Sequence, residues 1–430
     1  MQPITAPGRP RAARGRWIWR LSGVVTVIVL ALFAVAAAIR AGTPQGGQQF
    51  GAVPTRTVAV TVPGTVTGLN VSSYGAPIQV SRGPVSQVKV VEAITANQSG
   101  MPSVTAKVSR GELTLAAPSC ETGGCEVGFT VTVPASLPVT AFSGGGTISV
   151  SAAAGADLDS GGGTVTASGI SGLLTVTSDS GDITARDTGS ADLDSGGGSV
   201  SASGVNGPLT VTSDDGNISA DGTGTATLDS GGGSVSASAV HGPLTVTSDD
   251  GNISADGTGT ATLYSGGGSV TADAVNGSLT VVSDDGNITA AGAAGANLTS
   301  GGGAVDVRAI DGPLNATTDD GSLQVSGLSG ALTADTGGGP VNASGVAAPT
   351  ARITSDYGPV SIGFTSAPQS VVVSTGGGSA VLAVPGGPYA VTDDAAGAPA
   401  QVSVPTSATA SRAISLSTDG GTLRITPAAG

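Results

Sequence analysis

The sequence predicts an all-β protein, built as a single-stranded parallel β-solenoid. The hand is taken as right by analogy with known β-helices. A capping β-region stands before the solenoid and one transmembrane helix before that. Three observations carry this expectation. A phrase recurs every 35 residues from Leu158 onward, it splits into two variants of one 17–18-residue unit, and each unit alternates apolar and polar residues around a glycine turn. Short repeats that each form one supersecondary unit, and bury their apolar faces only against neighbours, are the signature of a solenoid.

The composition fits a thin core and excludes a thick one. Glycine contributes 71 of 430 residues, aromatics are 3% and charged residues 11%, well under the ~25% usual for globular chains. Rows of Ala, Val, Leu and Ile can still stack. Charge is divided by position: residues 1–40 hold six Arg and no acid, and 41–430 hold 10 basic against 30 acidic residues. Phosphate contacts need clustered Lys and Arg, so no nucleic-acid partner is expected.

The basic segment 1–20 reads as a cytoplasmic tail. Residues 21–39, LSGVVTVIVLALFAVAAAI, carry no charge. As a helix they span roughly 28 Å, close to the ~30 Å hydrocarbon core. Five Arg precede the run, so the positive-inside rule keeps the N-terminus in the cytoplasm and places the rest outside. Trp17 and Trp19 sit at interfacial depth. A signal peptide cleaved near Ala36-Ala37-Ala38 is the alternative; both readings export the remainder. Residues 40–55 read as a linker. The longer, Pro-punctuated strands of 56–140 read as a capping β-region.

Residues 141–374 hold the solenoid repeats. Close copies of LDSGGGSVSAS, opening at Leu158, Leu193, Leu228, Leu263 and Leu298, alternate with close copies of LTVTSDDGNISA, opening at Leu174, Leu209, Leu244 and Leu279. In the second phrase Leu209 and Val211 point to one side, Thr210 and Thr212 to the other, and Ile218 and Ala220 resume the alternation after the turn. Inward residues would form dry rows and outward Ser and Thr hydroxyl ladders, with glycine supplying positive φ at the bends. Coils about 4.8 Å apart, roughly sixteen from Ser143 to Ile425, make a rod on the order of 75 Å. Residues 375–430 read as the C-terminal coils and distal cap. Alternating the Asp-Asp-Gly turns with Gly-Gly-Gly turns spaces Asp215 from Asp250 by roughly 9.6 Å, which lessens repulsion between like charges.

Anchor, irregular β-region ending in FTVTVPASLPVTAFSGGGTISV, then Ser-Gly and Asp-Gly strand repeats: this order resembles a bacterial β-strand-repeat family of unknown function, also labelled "putative adhesin", found in Gram-positive membrane-anchored envelope proteins. The resemblance covers about 56–425. It implies a β-solenoid at the cell surface and carries no catalytic residues.

Few residues invite chemistry. Cys120 and Cys125 are the only cysteines and read as a hairpin disulfide in an exported chain. His241, the sole histidine, stands where matching positions hold Asn206 and Asn276, so it reads as a turn residue. The pairs Asp214/Asp215, Asp249/Asp250, Asp284/Asp285 and Asp319/Asp320 fit calcium between coils or plain solvated turns. Otherwise no cofactor, metal or catalytic set is expected. Asn217, Asn252 and Asn287 begin Asn-x-Ser/Thr triplets that follow from the repeat itself. The leading functional expectation is a non-enzymatic, single-pass, cell-surface interaction protein or stalk that binds a cell-wall polymer, a surface or a membrane protein. The alternatives are an envelope sensor acting with a membrane partner, and a polysaccharide-active β-helix enzyme.

Overall fold

In a computed structural model, which describes residues 55–96, 102–118, 125–396 and 399–428, the alternation of LTVTS becomes a strand, Pro208–Ser213, with Leu209, Val211 and Ser213 buried and Thr210 and Thr212 outside. A three-residue bend follows, and Ile218–Asp221 buries Ile218 and Ala220. A second bend leads to the next unit. Each coil therefore has two strands, and the chain folds as a parallel β-solenoid of about 14 turns, which stack in chain order through the body of the repeat.

Pairing between coils is parallel and in register. Leu209 lies beside Ala191 on one side and Ala226 on the other, and Val211 beside Leu193 and Leu228. The repeat thus sets volume as well as polarity. Along one inward row Ala and Leu alternate (Ala191, Leu209, Ala226, Leu244), and along the next row Leu and Val alternate out of phase (Leu193, Val211, Leu228, Val246). A large side chain in one row meets a smaller one beside it, which fills a thin core to native density without aromatics. All eight residues are buried.

The chain does not climb the axis in order at its ends, as the repeat alone would suggest. At the start lie β1 (Thr55–Val62), β2 (Gly68–Ser73), β3 (Ile78–Arg82), β4 (Val88–Ala96), β5 (Thr105–Ser109), β6 (Glu112–Ala116) and β7 (Cys125–Val133). The first full coil of the repeat follows as β8 (Pro138–Ser143) and β9 (Ile148–Ser151). Strand β2 pairs with both β6 and β8, and β3 with both β7 and β9. The earliest coil is therefore slotted between later ones. Antiparallel β5 covers β6, while β4 and then β1 cover β7. The other end repeats the device. Ala413–Thr418 sits between Ser370–Thr375 and Ala390–Ala395, and Leu423–Pro427 between Ala380–Val384 and Gln401–Val402. Interleaving of this kind gives each displaced coil two paired edges and leaves the open edges to antiparallel strands at the start, and to Ala390–Ala395 and the two-residue Gln401–Val402 at the other end.

Among the described residues no helix is long and apolar enough to cross a membrane. The expected tail at 1–20, the span at 21–39 and the linker up to residue 54 lie outside the described residues.

Candidate functional site

The first bend is organised by a hydroxyl that the alternation places inward. Ser213 Oγ accepts the Gly216 N–H at 3.0 Å, and Ser230 Oγ donates to the Gly233 carbonyl at 2.8 Å. Ser160, Ser178, Ser195, Ser248, Ser283 and Ser300 do the same, and Thr336, Ser355 and Thr375 continue the row. All are buried. A buried hydroxyl of this type must be paired, and the bend supplies both partners.

Glycine at this bend is required by close approach and not, as the sequence reading held, by positive φ. Gly216 has an ordinary backbone angle, but a Cβ added there would lie 2.0 Å from the Gly198 carbonyl oxygen of the adjacent coil. The first bend position explains the two-coil period. Asp214 is accepted there, yet a Cβ on Gly231 in the next coil would lie 2.4 Å from the Asp214 carbonyl oxygen. The same holds for Gly196 over Asp179 and Gly266 over Asp249. A Cβ fits here only where the coil before it carries glycine, so two Asp-type turns cannot follow one another, for steric reasons beyond charge spacing. The second Asp of each pair leans over the bare glycine of the following coil, Asp215 towards Gly232 and Asp250 towards Gly267.

Positive φ belongs to the second bend. Gly222, Ala239, Gly257, Ala274 and Gly292 all adopt it. Just beyond lies His241, whose Nδ1 is 3.2 Å from the Thr223 carbonyl oxygen. Asn206 and Asn276 contact Thr188 and Thr258 in the same way. The histidine thus serves as a variant of an asparagine brace. Asn217, Asn252 and Asn287 brace the other bend: they accept the backbone N–H of Ser234, Ser269 and Ala304 respectively, each at 2.9 Å.

Cys125 opens β7 opposite Ala96, whereas Cys120 lies outside the described residues. Among the described residues no three His, Cys, Asp or Glu side chains gather as a metal-holding group.

The outward faces carry the remaining chemistry. On the face formed by the first strand of each coil, Asp159 and Asp194 are held above the ordinary aspartate range. Burial is the main cause, followed by the charges of Asp179 and Asp157 around Asp159, and of Asp214 and Asp192 around Asp194. On the opposite face one row reads Ser149, Thr166, Thr184, Ser201, Ser219, Ser236, Ser254, Thr271, Thr289. It then changes to Asp306, Gln324, Asn342 and Ser361 in four successive coils. Beside it run Arg308, Ser326 and Ser344. These residues line an open groove of about 310 Å³. Arg308 is paired with Asp306 at 2.5 Å, and the strand register shifts at the groove's far end, between Ala343 and Val346. Near the C-terminal end, exposed Tyr357 stands between Asp356 and the Gly376-Gly377 step, with Asp419 beyond. Sequence reasoning singled out the Asp turns and passed over the groove. Its only signal was the appearance of VDVRA, LQVSG and VNASG where Ser or Thr had held the outward place.

No family model matches the chain, and no curated protein matches it. Three solved structures do. A "putative cell adhesion protein" from Clostridium sporogenes aligns at 11% identity over 46% of this chain and 98% of its own, with a TM-score of 0.25. A "putative adhesin" from Bacteroides fragilis aligns at 11% identity over 86% of this chain and 97% of its own, with a TM-score of 0.17. A "putative adhesin" from Parabacteroides distasonis aligns at 15% identity over 72% of this chain and 97% of its own, with a TM-score of 0.22. Likenesses this loose carry no argument about function. The solenoid stands on this chain's own strand pairing.

Proposed function

We propose that this chain is an adhesin-like surface protein, a rod that presents outward polar ladders to an extracellular ligand and performs no catalysis. The carrying observation is how the coil divides its side chains. The inward positions are taken almost entirely by apolar rows and bend-forming hydroxyls, so recognition falls to the outward ladders, and those repeat over many coils. An active site is one special constellation; a ladder is an extended surface suited to an extended ligand. The acidic balance of 41–430 favours a soluble, self-repelling rod. In this reading residues 21–39 anchor the chain with the N-terminus in the cytoplasm, and Cys120 and Cys125 form a disulfide outside. The ligand is a wall polymer, a surface or a membrane protein.

Expressing the full chain and a version lacking 56–430 in the same host tests this. Cells bearing the full chain should adhere to wall polymer or to neighbouring cells, and protease added outside should remove the adhesion. Equal adhesion by both strains would overturn the proposal.

A further inference from the structure

We infer that the groove lined by Asp306, Arg308, Gln324, Asn342, Ser344 and Ser361 is a binding site for a neutral glycan chain lying along the solenoid axis. The inference rests on the surface-protein reading above and names its ligand class.

Four features select that class. First, the groove interrupts a uniform surface. Nine coils in succession place Ser or Thr at the outward position, and then three successive coils place long planar groups there, Asp306, Gln324 and Asn342. Nothing in the coil demands this, since the inward rows continue unchanged through Val305, Leu323 and Val341. Second, the groups are mixed donors and acceptors. Each amide offers two donors and a carbonyl acceptor, and the seryl hydroxyls do both. Sugar hydroxyls likewise donate and accept.

Third, the local charge cancels. Asp306 and Arg308 are the only ionisable residues lining the groove, and they pair with each other. An anionic polymer meets no excess positive charge, and the ectodomain is acidic as a whole. A cation finds a single carboxylate, already neutralised by Arg308, and otherwise only uncharged oxygens, where calcium sites draw on several carboxylates. A protein partner would want aromatic or aliphatic anchors, and no aromatic or exposed apolar side chain lines the groove. Fourth, the shape is linear. Three steps between four coils give a length of roughly 14 Å, and residues two apart on a strand give a second polar row roughly 7 Å to the side. This suits a short stretch of extended polymer.

The test uses the full chain in detergent, with Gln324→Ala/Asn342→Ala as the variant and Thr245→Ala/Thr247→Ala on the opposite outer face as control. All four side chains point outward, so each variant should melt like the parent. The probes are neutral oligomers of glucose and of N-acetylglucosamine, and polyglycerol phosphate as the anionic comparison, measured by calorimetry. Binding of at least one neutral oligomer, weakened tenfold or more by the groove variant and unchanged by the control, is expected. No neutral oligomer bound, equal binding by the groove variant, or binding of only the polyanion would overturn the assignment. Adhesion of cells bearing the groove variant separates the two levels. If they adhere as well as the parent, the groove assignment fails and the surface-protein reading stands. If neither parent nor variant adheres, that reading fails as well.

Discussion

A Cβ placed on Gly216 would lie 2.0 Å from the carbonyl oxygen of Gly198 in the adjacent coil. The obstacle is backbone, held by parallel pairing on both sides, so it cannot rotate away as a side chain could. Gly216→Ala should therefore destabilise the solenoid by about 3 kcal/mol, the upper end of over-packing costs. Gly232→Ala, whose Cβ would meet only the Asp215 carboxylate at 3.7 Å, should be close to neutral. Urea unfolding of the two variants checks the contrast.

The second bend predicts a gain. Ala274 is exposed and adopts φ of 51°, a conformation that costs an L-residue roughly 1–2 kcal/mol. Ala274→Gly relieves that strain and loses part of the gain to the freer unfolded chain. A net stabilisation of about 0.5–1 kcal/mol is expected by denaturant titration. The same change at buried Ala272 should destabilise.

Thr188, Thr223 and Thr258 are buried, and their hydroxyls have no hydrogen-bond partner. Backbone bonds place Val205 and Val240 at the equivalent position in the coils on either side of Thr223. Thr223→Val keeps the shape, extends an apolar row and removes an unsatisfied group, so it should stabilise by about 1 kcal/mol. A lower melting temperature in the valine variant would contradict this account.

Asp159 and Asp194 predict a pH slope. Their folded-state pKa values are raised, chiefly by burial, so between the ordinary aspartate value and the raised one the folded chain binds more protons than the unfolded chain. Stability contributed by these groups is then present at low pH and falls as pH rises through that window. Asp157 and Asp179 add to the effect at Asp159, and Asp192 and Asp214 at Asp194. The double variant Asp159→Asn/Asp194→Asn should flatten the slope and raise the unfolding midpoint at neutral pH. Denaturant midpoints measured from acid to neutral pH supply the check.

The architecture was legible in the sequence because a solenoid is local physics repeated. Alternation along Leu209–Ser213 assigns sides, the 17–18-residue unit assigns the coil, and identical phrases imply stacked register. His241 as a turn variant was legible for the same reason, by comparison with Asn206 and Asn276. What the sequence could not show depends on contacts between coils. The need for glycine at Gly216, the exclusion of a Cβ at Gly231 and the cross-coil braces from Asn217 all arise only when one coil lies against the next. Interleaving at the ends was hidden too, because β2 and Ala413–Thr418 carry ordinary strand patterns and say nothing about which neighbour they pair with. The groove is the clearest case. Asp306, Gln324 and Asn342 lie 18 residues apart along the chain, and only parallel stacking sets them side by side on one outward row.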